Sequence, residues 1–378
     1  MASSDTPGPY AHWMLREIHE QPQTLADTFA RYVDGAKFRD DICAPVREWF
    51  AAIEGDLVIA ASGSSRHAGM VAEITIEDLS GIAVDVEYAS EYCYRSEKSL
   101  KDAAVLIVSQ SGETADTLAA LRKARAAGHR SLAVTNVEAS SMAHEATLSV
   151  PVEAGRERAV PATKSFTGQL LVLYLLALLA AESRGALDVA QLRTHLEAAA
   201  TLPAVIAAQL PGWEIAMRKI ADQYSDIENF LFLGRGVHYP IAREGALKLK
   251  ESAYLHAEGY PSGELKHGPN ALVSDRTPLV MIATVDRNDP DSIERYEKSL
   301  HLMSDMRSQG ANILAIANQG DPRVAMLATN TVSIHETSEW LLPICEIIPL
   351  QLFSYFMSIN NGIDVDSPRN LVKAVIEE

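Results

Sequence analysis

The chain has 378 residues, of which 47% are hydrophobic, and a formal net charge of −17 from 50 acidic and 33 basic residues. This length and apolar content suffice for a buried core and favour two or three domains. So acidic a surface argues against nucleic acid and anionic membranes as partners. An anionic substrate would need a local site of backbone amides, hydroxyls and a few basic groups.

The three cysteines, Cys43, Cys93 and Cys345, are few and far apart. Because no CxxC spacing occurs, we predict neither a disulfide framework nor a cysteine zinc site, and we expect reduced, mostly structural thiols in a cytoplasmic protein. The first residues show no signal-peptide pattern. The longest apolar run, residues 170–181, is too short for a membrane span and predicts a buried core helix.

In chain order, the first predicted element is a helical arm over residues 10–33, broken at Pro22. Short apolar strands follow and alternate with amphipathic helices, which predicts an α/β fold with a doubly wound parallel sheet flanked by helices. The predicted strands are residues 57–61, 103–108 and 131–135, and the pattern returns at 229–233, 279–283 and 313–316.

A repeat of this length indicates a duplicated domain rather than a solenoid unit. The predicted organisation has four segments. They are an N-terminal helical arm (1–45), a first domain (46–205), a second domain (206–363) and a polar tail (364–378).

The most informative short motif is SQSGET at residues 109–114, where a predicted strand ends and a helix begins. Unpaired N–H groups and the helix dipole favour an anion there, and three hydroxyls with a permissive glycine could complete a phosphate cradle. Alternatively, Ser111 only caps the helix. Ser64 and Ser65, after the preceding strand, favour the cradle, because two hydroxyl-rich turns at adjacent strand ends form a ligand crevice.

The helix predicted over residues 243–258 carries the second group of candidates. Glu244, Lys248 and Glu251 lie at i, i+4 and i+7 and share one face, which by default indicates a solvated face with ion pairs. Glu251 also has apolar neighbours at i−4, i+3 and i+4. Desolvation there would raise its pKa toward that of a useful base.

His267 lies in GELKHGP at residues 263–269 and is either an acid/base group on a loop or an ordinary surface histidine. His256 and His267 lack metal-ligand spacing with other donors, and the sequence has no HExxH motif. We therefore predict no catalytic metal and no cofactor.

At these motifs the sequence resembles the isomerase part of the glutamine:fructose-6-phosphate amidotransferases, which is built from two sugar-isomerase (SIS) domains. The resemblance runs from about residue 10 to the C-terminus and keeps the motifs in order. The matching stretches are MLREIHEQP (14–22), SQSGETADTL (109–118), ATKSFTGQL (162–170), FLGRGVHYPIAREGALKLKESAYLHAEGY (232–260), GELKHGP (263–269) and DVDSPRNLVKAV (364–375).

This resemblance implies roles for single residues. Glu251 would move a proton between C1 and C2 of the sugar, and His267 would open the ring. Lys248 would stabilise charge on the enolised intermediate, and Lys373 would meet the open-chain carbonyl. In the family the histidine comes from the neighbouring subunit, which implies a homodimer. The residues implied to hold the sugar phosphate are Ser64, Ser65, Ser109, Gln110, Ser111 and Thr114, with the backbone of Val160 beside the sugar.

Two departures from the family pattern stand out. Arg66 and His67 follow the first hydroxyl-rich turn, where the family usually has other residues, and could alter what is accepted around the phosphate. The family's full-length enzymes also begin with a glutamine-hydrolysing domain whose N-terminal cysteine is the nucleophile. Here the first cysteine is Cys43, so we expect no glutamine hydrolysis.

Three functions remain in competition. The leading one is an isomerase/deaminase that interconverts glucosamine 6-phosphate with fructose 6-phosphate and ammonia. The others are an isomerase or deglycase for another phosphorylated amino sugar, and a non-catalytic sugar-phosphate sensor. A sensor would need the hydroxyl cradle but not Glu251, His267 and Lys373 together, so the presence of all three favours an enzyme.

Overall fold

The structure is a computed structural model that describes residues 6–96 and 103–376. The chain forms two compact units. Unit 1 takes its described residues from Met1–Glu20, Arg158–Thr163 and Ala204–Leu371, and unit 2 from Gln21–Glu157, Lys164–Pro203 and Val372–Glu378. The domain segments proposed from the sequence stay predictions.

In the described residues the secondary structure consists of helices, strands and two short 3-10 helices, Ser262–His267 and Pro269–Leu272. The helices are α1 Trp13–His19, α2 Gln21–Tyr32, α3 Asp40–Ala51, α4 Gly63–Ser80, α5 Ala89–Tyr92, α6 Ala115–Ala126, α7 Ser141–Glu145, α8 Lys164–Ser183, α9 Val189–Gln223, α10 His238–Ala253, α11 Pro290–Ser308, α12 Pro322–Leu327 and α13 Leu342–Asn360. The strands are β1 Val33–Asp34, β2 Lys37–Phe38, β3 Leu57–Ala61, β4 Val84–Tyr88, β5 Ala104–Ser109, β6 Ser131–Thr135, β7 Leu148–Pro151, β8 Asn229–Gly234, β9 His256–Pro261, β10 Leu279–Ala283, β11 Ile313–Asn318 and β12 Asn330–Ile334.

The sheet of unit 2 has five parallel strands in the order β4-β3-β5-β6-β7. Its central strands β3 and β5 are buried along their whole length, which explains why they are continuous apolar runs rather than alternating patterns. If the five strands of this sheet are numbered 1 to 5 in chain order, their order across the sheet is 2-1-3-4-5. The first strand therefore pairs with the second on one side and with the third on the other.

The sheet of unit 1 repeats this arrangement. Its five parallel strands run in the order β12-β11-β10-β8-β9, which again is 2-1-3-4-5 within the sheet. Strands β10 and β11 are completely buried. The predicted fold class, an α/β protein with two doubly wound parallel sheets flanked by helices, is confirmed.

The strand ends match the sequence analysis closely, but the start of α4 does not. Strands β3, β6 and β10 have the predicted bounds, and β5 is shifted by one residue relative to the prediction, to Ala104–Ser109. The prediction of a four-residue turn before a helix beginning at Arg66 was wrong. Gly63 has φ +54°, so the chain turns at this one glycine and Ser64 and Ser65 already lie in the first turn of α4.

The predicted N-terminal arm is two separate helices, α1 and α2. The break falls before Gln21, and Pro22 sits in the first turn of α2, where its missing N–H costs nothing. The start of α1 is capped by a distant residue of unit 1, because the backbone N–H groups of Trp13 and Met14 both donate to the carboxylate of Asp366 at 2.8 Å. A carboxylate there also suits the helix dipole.

Two helices, α8 and α13, are long and apolar enough to cross a membrane by length and composition alone. In each, 94% of the apolar window is buried within the fold, as in the core helix of a folded domain. The prediction that residues 170–181 form a buried core helix is confirmed by α8.

A buried charge cluster lies at the start of α10 in unit 1. His238 Nδ1 is 2.7 Å from Glu346 Oε1, and His238 Nε2 is 3.3 Å from Glu339 Oε1. Glu339 also accepts a hydrogen bond from Arg295 Nε at 2.9 Å. Burial alone would lower the pKa of His238, but Glu346 and Glu339 together raise it to about 10. The cluster is therefore charged at neutral pH.

Replacing His238 tests this cluster. We expect His238→Gln to lower the free energy of unfolding by about 3–5 kcal/mol at neutral pH, since it leaves the buried carboxylate of Glu346 without its cation. The folded-state pKa of about 10 lies above the unfolded value of about 6.5, so the histidine's contribution is fully present below pH 6.5. This contribution is lost as the pH rises from 6.5 through 10. The difference in the free energy of unfolding between His238→Gln and wild type, measured by urea titration, should therefore narrow over the same pH range.

The matched control is His335→Gln, since His335 is exposed. This change should alter the free energy of unfolding by less than about 0.5 kcal/mol. Equal losses in the two variants, or a His238→Gln effect that does not change with pH, would contradict the charged cluster.

Candidate active site

The segment 109–114 of unit 2, here named the hydroxyl loop, joins β5 to α6. Ser109 is buried, and its Oγ accepts a hydrogen bond from Gly112 N at 3.2 Å and lies 3.3 Å from Thr114 Oγ1. Ser111 Oγ lies 3.4 Å from the same Thr114 oxygen. Three hydroxyls therefore converge at the start of a 12-residue helix, where the helix dipole favours an anion.

The interpretation of Ser111 as a helix cap was wrong. Helix α6 begins at Ala115 with Thr114 in the N-cap position, and Ser111 Oγ instead accepts a hydrogen bond from Glu113 N at 3.2 Å. Within the described part of the chain, the Thr114 hydroxyl makes no hydrogen bond to the first turn of α6. Neither the Ser111 nor the Thr114 hydroxyl therefore caps this helix.

Gly112 is required by the shape of the hydroxyl loop. Its φ is +67°, and a Cβ placed on it would lie 2.2 Å from Ser140 Oγ and 2.8 Å from Thr135 Oγ1. On the same side, Glu113 Oε1 accepts a hydrogen bond from Ser141 N at 2.7 Å. The loop is therefore packed against the start of α7.

The other residues predicted to bind phosphate lie on neighbouring segments of unit 2. Ser64 and Ser65 are in the first turn of α4, and Ser65 Oγ accepts a hydrogen bond from the buried Gln169 on α8 at 3.0 Å. Gln110 belongs to the hydroxyl loop, and its backbone oxygen accepts from Asn136 N at 3.1 Å. Sequence reasoning missed Gln169, although a glutamine inside a long apolar helix is a readable signal.

Lys373 is held by a buried carboxylate. Its Nζ lies 2.5 Å from Glu157 Oε2, and the same oxygen accepts from Ser165 Oγ at 2.7 Å. Close by in sequence, the carbonyl of Val375 accepts a hydrogen bond from Ala115 N, the first N–H of α6, at 3.0 Å. The structure thus brings the tail to the hydroxyl loop.

In unit 1 the shared face of α10 is largely buried. Lys248 Nζ lies 3.3 Å from Glu244 Oε1 and 2.5 Å from Glu251 Oε2. The side chains of Lys248 and Glu244 are 1% and 0% exposed, whereas that of Glu251 is 23% exposed. The solvated-face interpretation was therefore wrong. Burial alone would lower the pKa of Lys248, but Glu244 and Glu251 raise it above its ordinary value, so the lysine stays protonated.

Glu251 lines an open cavity of about 470 Å³ in unit 1. Tyr254 lines it as well, and its hydroxyl oxygen accepts a hydrogen bond from Arg369 N at 2.5 Å. The Arg369 guanidinium lies 4.3 Å from the centroid of the same ring. The chain after residue 364 therefore folds along the cavity that contains the candidate base.

Four further residues have less direct placements. His267 ends a 3-10 helix, is exposed, and is not among the described residues that line the Glu251 cavity. Val160 N donates to Asp366 O at 3.0 Å within unit 1. Arg66 packs its guanidinium 3.9 Å from the ring centroid of Tyr88, and His67 is buried. The roles of all these residues stay predictions.

Among residues 6–96 and 103–376, no group of three or more His, Cys, Asp or Glu side chains is arranged to hold a metal ion. The side chains at these sites are hydroxyls, carboxylates, ammonium groups and imidazole. Such groups bind anions and transfer protons.

Comparisons with known proteins agree with this geometry. The model of the SIS domain family matches residues 53–179 and 223–360. The glutamine–fructose-6-phosphate aminotransferase (isomerizing) of Clostridium tetani is 40% identical over 372 residues, which are 98% of this chain and 60% of that protein. That of Bordetella parapertussis is 43% identical over 374 residues, 98% and 59% of the respective chains. The chain thus spans about 60% of the length of the curated relatives it matches.

Two solved structures are similar in fold. The C-terminal domain of the glucosamine-fructose-6-phosphate aminotransferase from Francisella tularensis has a TM-score of 0.89 at 34% identity, over 97% of this chain and 100% of that one. The glucosamine-6-phosphate deaminase of Thermotoga maritima has a TM-score of 0.70 at 24% identity, over 96% and 99% of the two chains, and shares the fold.

Gly112 offers a test of the hydroxyl loop. We expect Gly112→Ala to lower the free energy of unfolding by about 2–4 kcal/mol, because a left-handed alanine and a forced contact with Ser140 both cost free energy. Urea titration measures this loss. Gly212→Ala in α9 is the control: nothing lies within 4 Å of its Cβ position, and a gain of about 0.5–1 kcal/mol is expected. A Gly112→Ala protein as stable as wild type would contradict the packed loop.

Proposed function

This chain belongs to the SIS domain family, and from that premise we propose that it interconverts glucosamine 6-phosphate with fructose 6-phosphate and ammonia. The observation that carries the proposal is the arrangement on α10. A carboxylate with an accessible edge, Glu251, is fixed 2.5 Å from the buried ammonium of Lys248. The substrate class comes from the fructose-6-phosphate relatives, which are longer than this chain.

In this proposal the hydroxyl loop binds the phosphate of the sugar. Its support is the convergence of Ser109, Ser111 and Thr114 at the start of α6, where hydroxyls and backbone N–H groups favour an anion. Ser64, Ser65 and Gln110 would complete the contacts. A chain that is acidic overall can bind a phosphate in this way without many lysines or arginines.

The chemical steps follow from the remaining groups. His267 opens the sugar ring, and the open-chain carbonyl acidifies the neighbouring C–H bond. Glu251 takes the proton from C2 and returns it to C1, while protonated Lys248 stabilises the negative charge that develops on oxygen. The product carries an imine at C2. Water adds to this imine, ammonia leaves, and fructose 6-phosphate remains.

Lys373 would meet the open-chain carbonyl, and Glu157 would position it. The support is the 2.5 Å ion pair between them, together with the hydrogen bonds that Glu157 accepts from Ser165 N and Oγ. A lysine held on the tail beside the hydroxyl loop could reach a sugar whose phosphate is bound there.

We also propose that the protein acts as a homodimer in which His267 serves the site of the partner. His267 is exposed and does not line the Glu251 cavity within its own chain, as described here for unit 1. A histidine required for ring opening would then have to come from a second copy.

Glu251→Gln tests the proposed base. Turnover of glucosamine 6-phosphate should fall at least about 10²-fold, because an amide cannot carry the proton. Sugar-phosphate binding, measured by calorimetry, should remain, because the hydroxyl loop is unchanged. Glu197→Gln, an exposed carboxylate paired with Arg193 on α9, is the matched control and should keep full turnover. Near-normal turnover by Glu251→Gln would rule out the mechanism.

The same variant tests the dimer. Glu251→Gln and His267→Asn subunits are each expected to be nearly inactive, but mixing them should restore part of the activity. A mixed dimer has one site with both groups intact. If subunit exchange is verified and no activity returns, each site must be complete within one chain.

The proposed function as a whole can be tested by asking whether the protein uses glutamine or free ammonia as its source of nitrogen. Glutamine hydrolysis needs an activated thiolate, but burial raises the pKa of Cys43 to about 11 and that of Cys345 to about 12. Cys93 is half-buried and donates its Sγ hydrogen to Ala89 O at 3.4 Å. None of these thiols is suited to be a nucleophile.

We therefore expect the purified chain to release ammonia from glucosamine 6-phosphate and to run in reverse only at high ammonium concentration. A coupled assay for fructose 6-phosphate follows both directions. Glutamine-dependent synthesis would contradict the expectation. So would interconversion of glucose 6-phosphate and fructose 6-phosphate without any reaction of the amino sugar.

A further inference from the structure

A second cavity, of about 370 Å³, lies at the carboxyl edge of the sheet of unit 1. Arg235 and Gly236, which follow β8, line one side, and residues of the first turns of α11, which follows β10, line the other. Strands β8 and β10 are the first and third strands of a 2-1-3-4-5 sheet. The gap between the segments after them is where open α/β sheets bind ligands.

The equivalent position in unit 2 holds the hydroxyl loop and the first turn of α4. Unit 1 has no such run of hydroxyls after β8, where the sequence reads Gly-Arg-Gly at residues 234–236. The two sheets therefore share a binding position but differ in the groups that line it.

Two polar groups at this cavity find no partner within the described part of the chain. Ser262 is 2% exposed, and its Oγ is buried without a hydrogen bond. The Nε of Arg235 is buried and likewise makes no hydrogen bond to the described residues. Unpaired buried polar groups are rare because each costs free energy. Two of them lining one cavity point to a ligand that supplies the partner atoms.

The charges around the cavity favour an anion. Arg295 is held by Glu339 at 2.8 Å and by Asp289 at 3.5 Å, and Lys298 is paired with Glu294 at 2.5 Å. Arg235 makes no ion pair with the described residues, so its positive charge faces the cavity uncompensated. Asp291 at the rim carries the opposite charge, which would restrict binding to a ligand whose anionic group is small and enters beside Arg235.

Small residues keep space open beside the guanidinium. A Cβ on Gly263 would lie 3.5 Å from Arg235 Nη1, and one on Gly236 would lie 2.9 Å from Arg295 Cδ. Gly236 also has φ +53°, so side chains are disfavoured at this position on backbone grounds as well. A side chain at Gly236 would therefore crowd Arg295, whereas a Cβ at Gly263 would be in ordinary contact with Arg235.

We propose that this cavity is a second phosphate site, separate from the hydroxyl loop, and that it binds the phosphate group of a small phosphate ester. The Arg235 guanidinium and the Ser262 hydroxyl donate hydrogen bonds to the phosphate oxygens. A planar guanidinium matches the geometry of a phosphate, and a cavity of this size accommodates a compact ester. The site is independent of the reaction proposed above.

Equilibrium dialysis of the full chain with radiolabelled inorganic phosphate tests the proposal. Wild type should bind two phosphates per chain. Arg235→Met, which keeps the apolar stem, should weaken one of them at least about tenfold, since a hydrogen bond to a charged group is lost. Ser111→Ala with Thr114→Ala should weaken the other. Arg276→Met, at an exposed arginine of unit 1, is the matched control and should leave both sites intact.

Ser262→Ala distinguishes a loss of phosphate binding from a folding defect. It removes a hydroxyl that has no partner in the described chain, so the thermal midpoint should not fall, while phosphate affinity at the Arg235 site should. Glucose 6-phosphate should displace labelled phosphate from that site. The proposal is overturned if wild type binds a single phosphate that the hydroxyl-loop variant abolishes, if Arg235→Met leaves both sites unchanged, or if the ester fails to compete.

Discussion

In both sheets the first strand pairs with the second strand on one side and with the third on the other. The segments that follow the first and third strands must therefore leave the sheet in different directions, and a crevice opens between them at the carboxyl edge. Helices α4 and α6 in unit 2, and α10 and α11 in unit 1, start beside this crevice. What each crevice binds then depends on the few residues between strand end and helix start. In unit 2 these residues are serines and a threonine, and in unit 1 they include an arginine.

The second organising feature is the charge carried by α10. His238, its first residue, and Lys248, almost three turns further on, are both buried cations. Each is neutralised by two carboxylates, those of Glu339 and Glu346 for the histidine and those of Glu244 and Glu251 for the lysine. Removing ions from water is costly, so such arrangements persist only where the partners are well placed. The ion pair of His238 with Glu346 ties α10 to α13, whereas one partner of Lys248 remains accessible at a cavity.

Much of the fold could be predicted because local patterns decide it. A short run of mostly apolar residues between turn signals favours a buried strand, and β3, β6 and β10 were predicted residue for residue. The start of α4 was not, because it depends on a positive φ at Gly63 that the sequence permits but does not require. The hydroxyl loop was recognisable from its composition, while its internal hydrogen bonds, which exclude Ser111 as a cap, depend on the actual path of the backbone.

The candidate site was harder to predict where partners are distant in sequence. Lys373 and Glu157 are 216 residues apart, and Gln169 and Ser65 are 104 apart, so no local period reveals either pair. The face of α10 illustrates the same limit. Its i, i+4 and i+7 charges have the pattern of a solvated helix, and only tertiary packing buries Lys248 and Glu244.

The cap of α1 by Asp366 has a consequence for how the chain is made. The carboxylate that accepts from Trp13 N is 353 residues downstream, so the ribosome completes almost the whole chain before α1 can be capped. A seven-residue helix is unstable by itself. Many multidomain chains fold from the N-terminus during synthesis. Helix α1 cannot reach its final structure in that order. Helix α1 therefore gains its cap only after Asp366 has been synthesised.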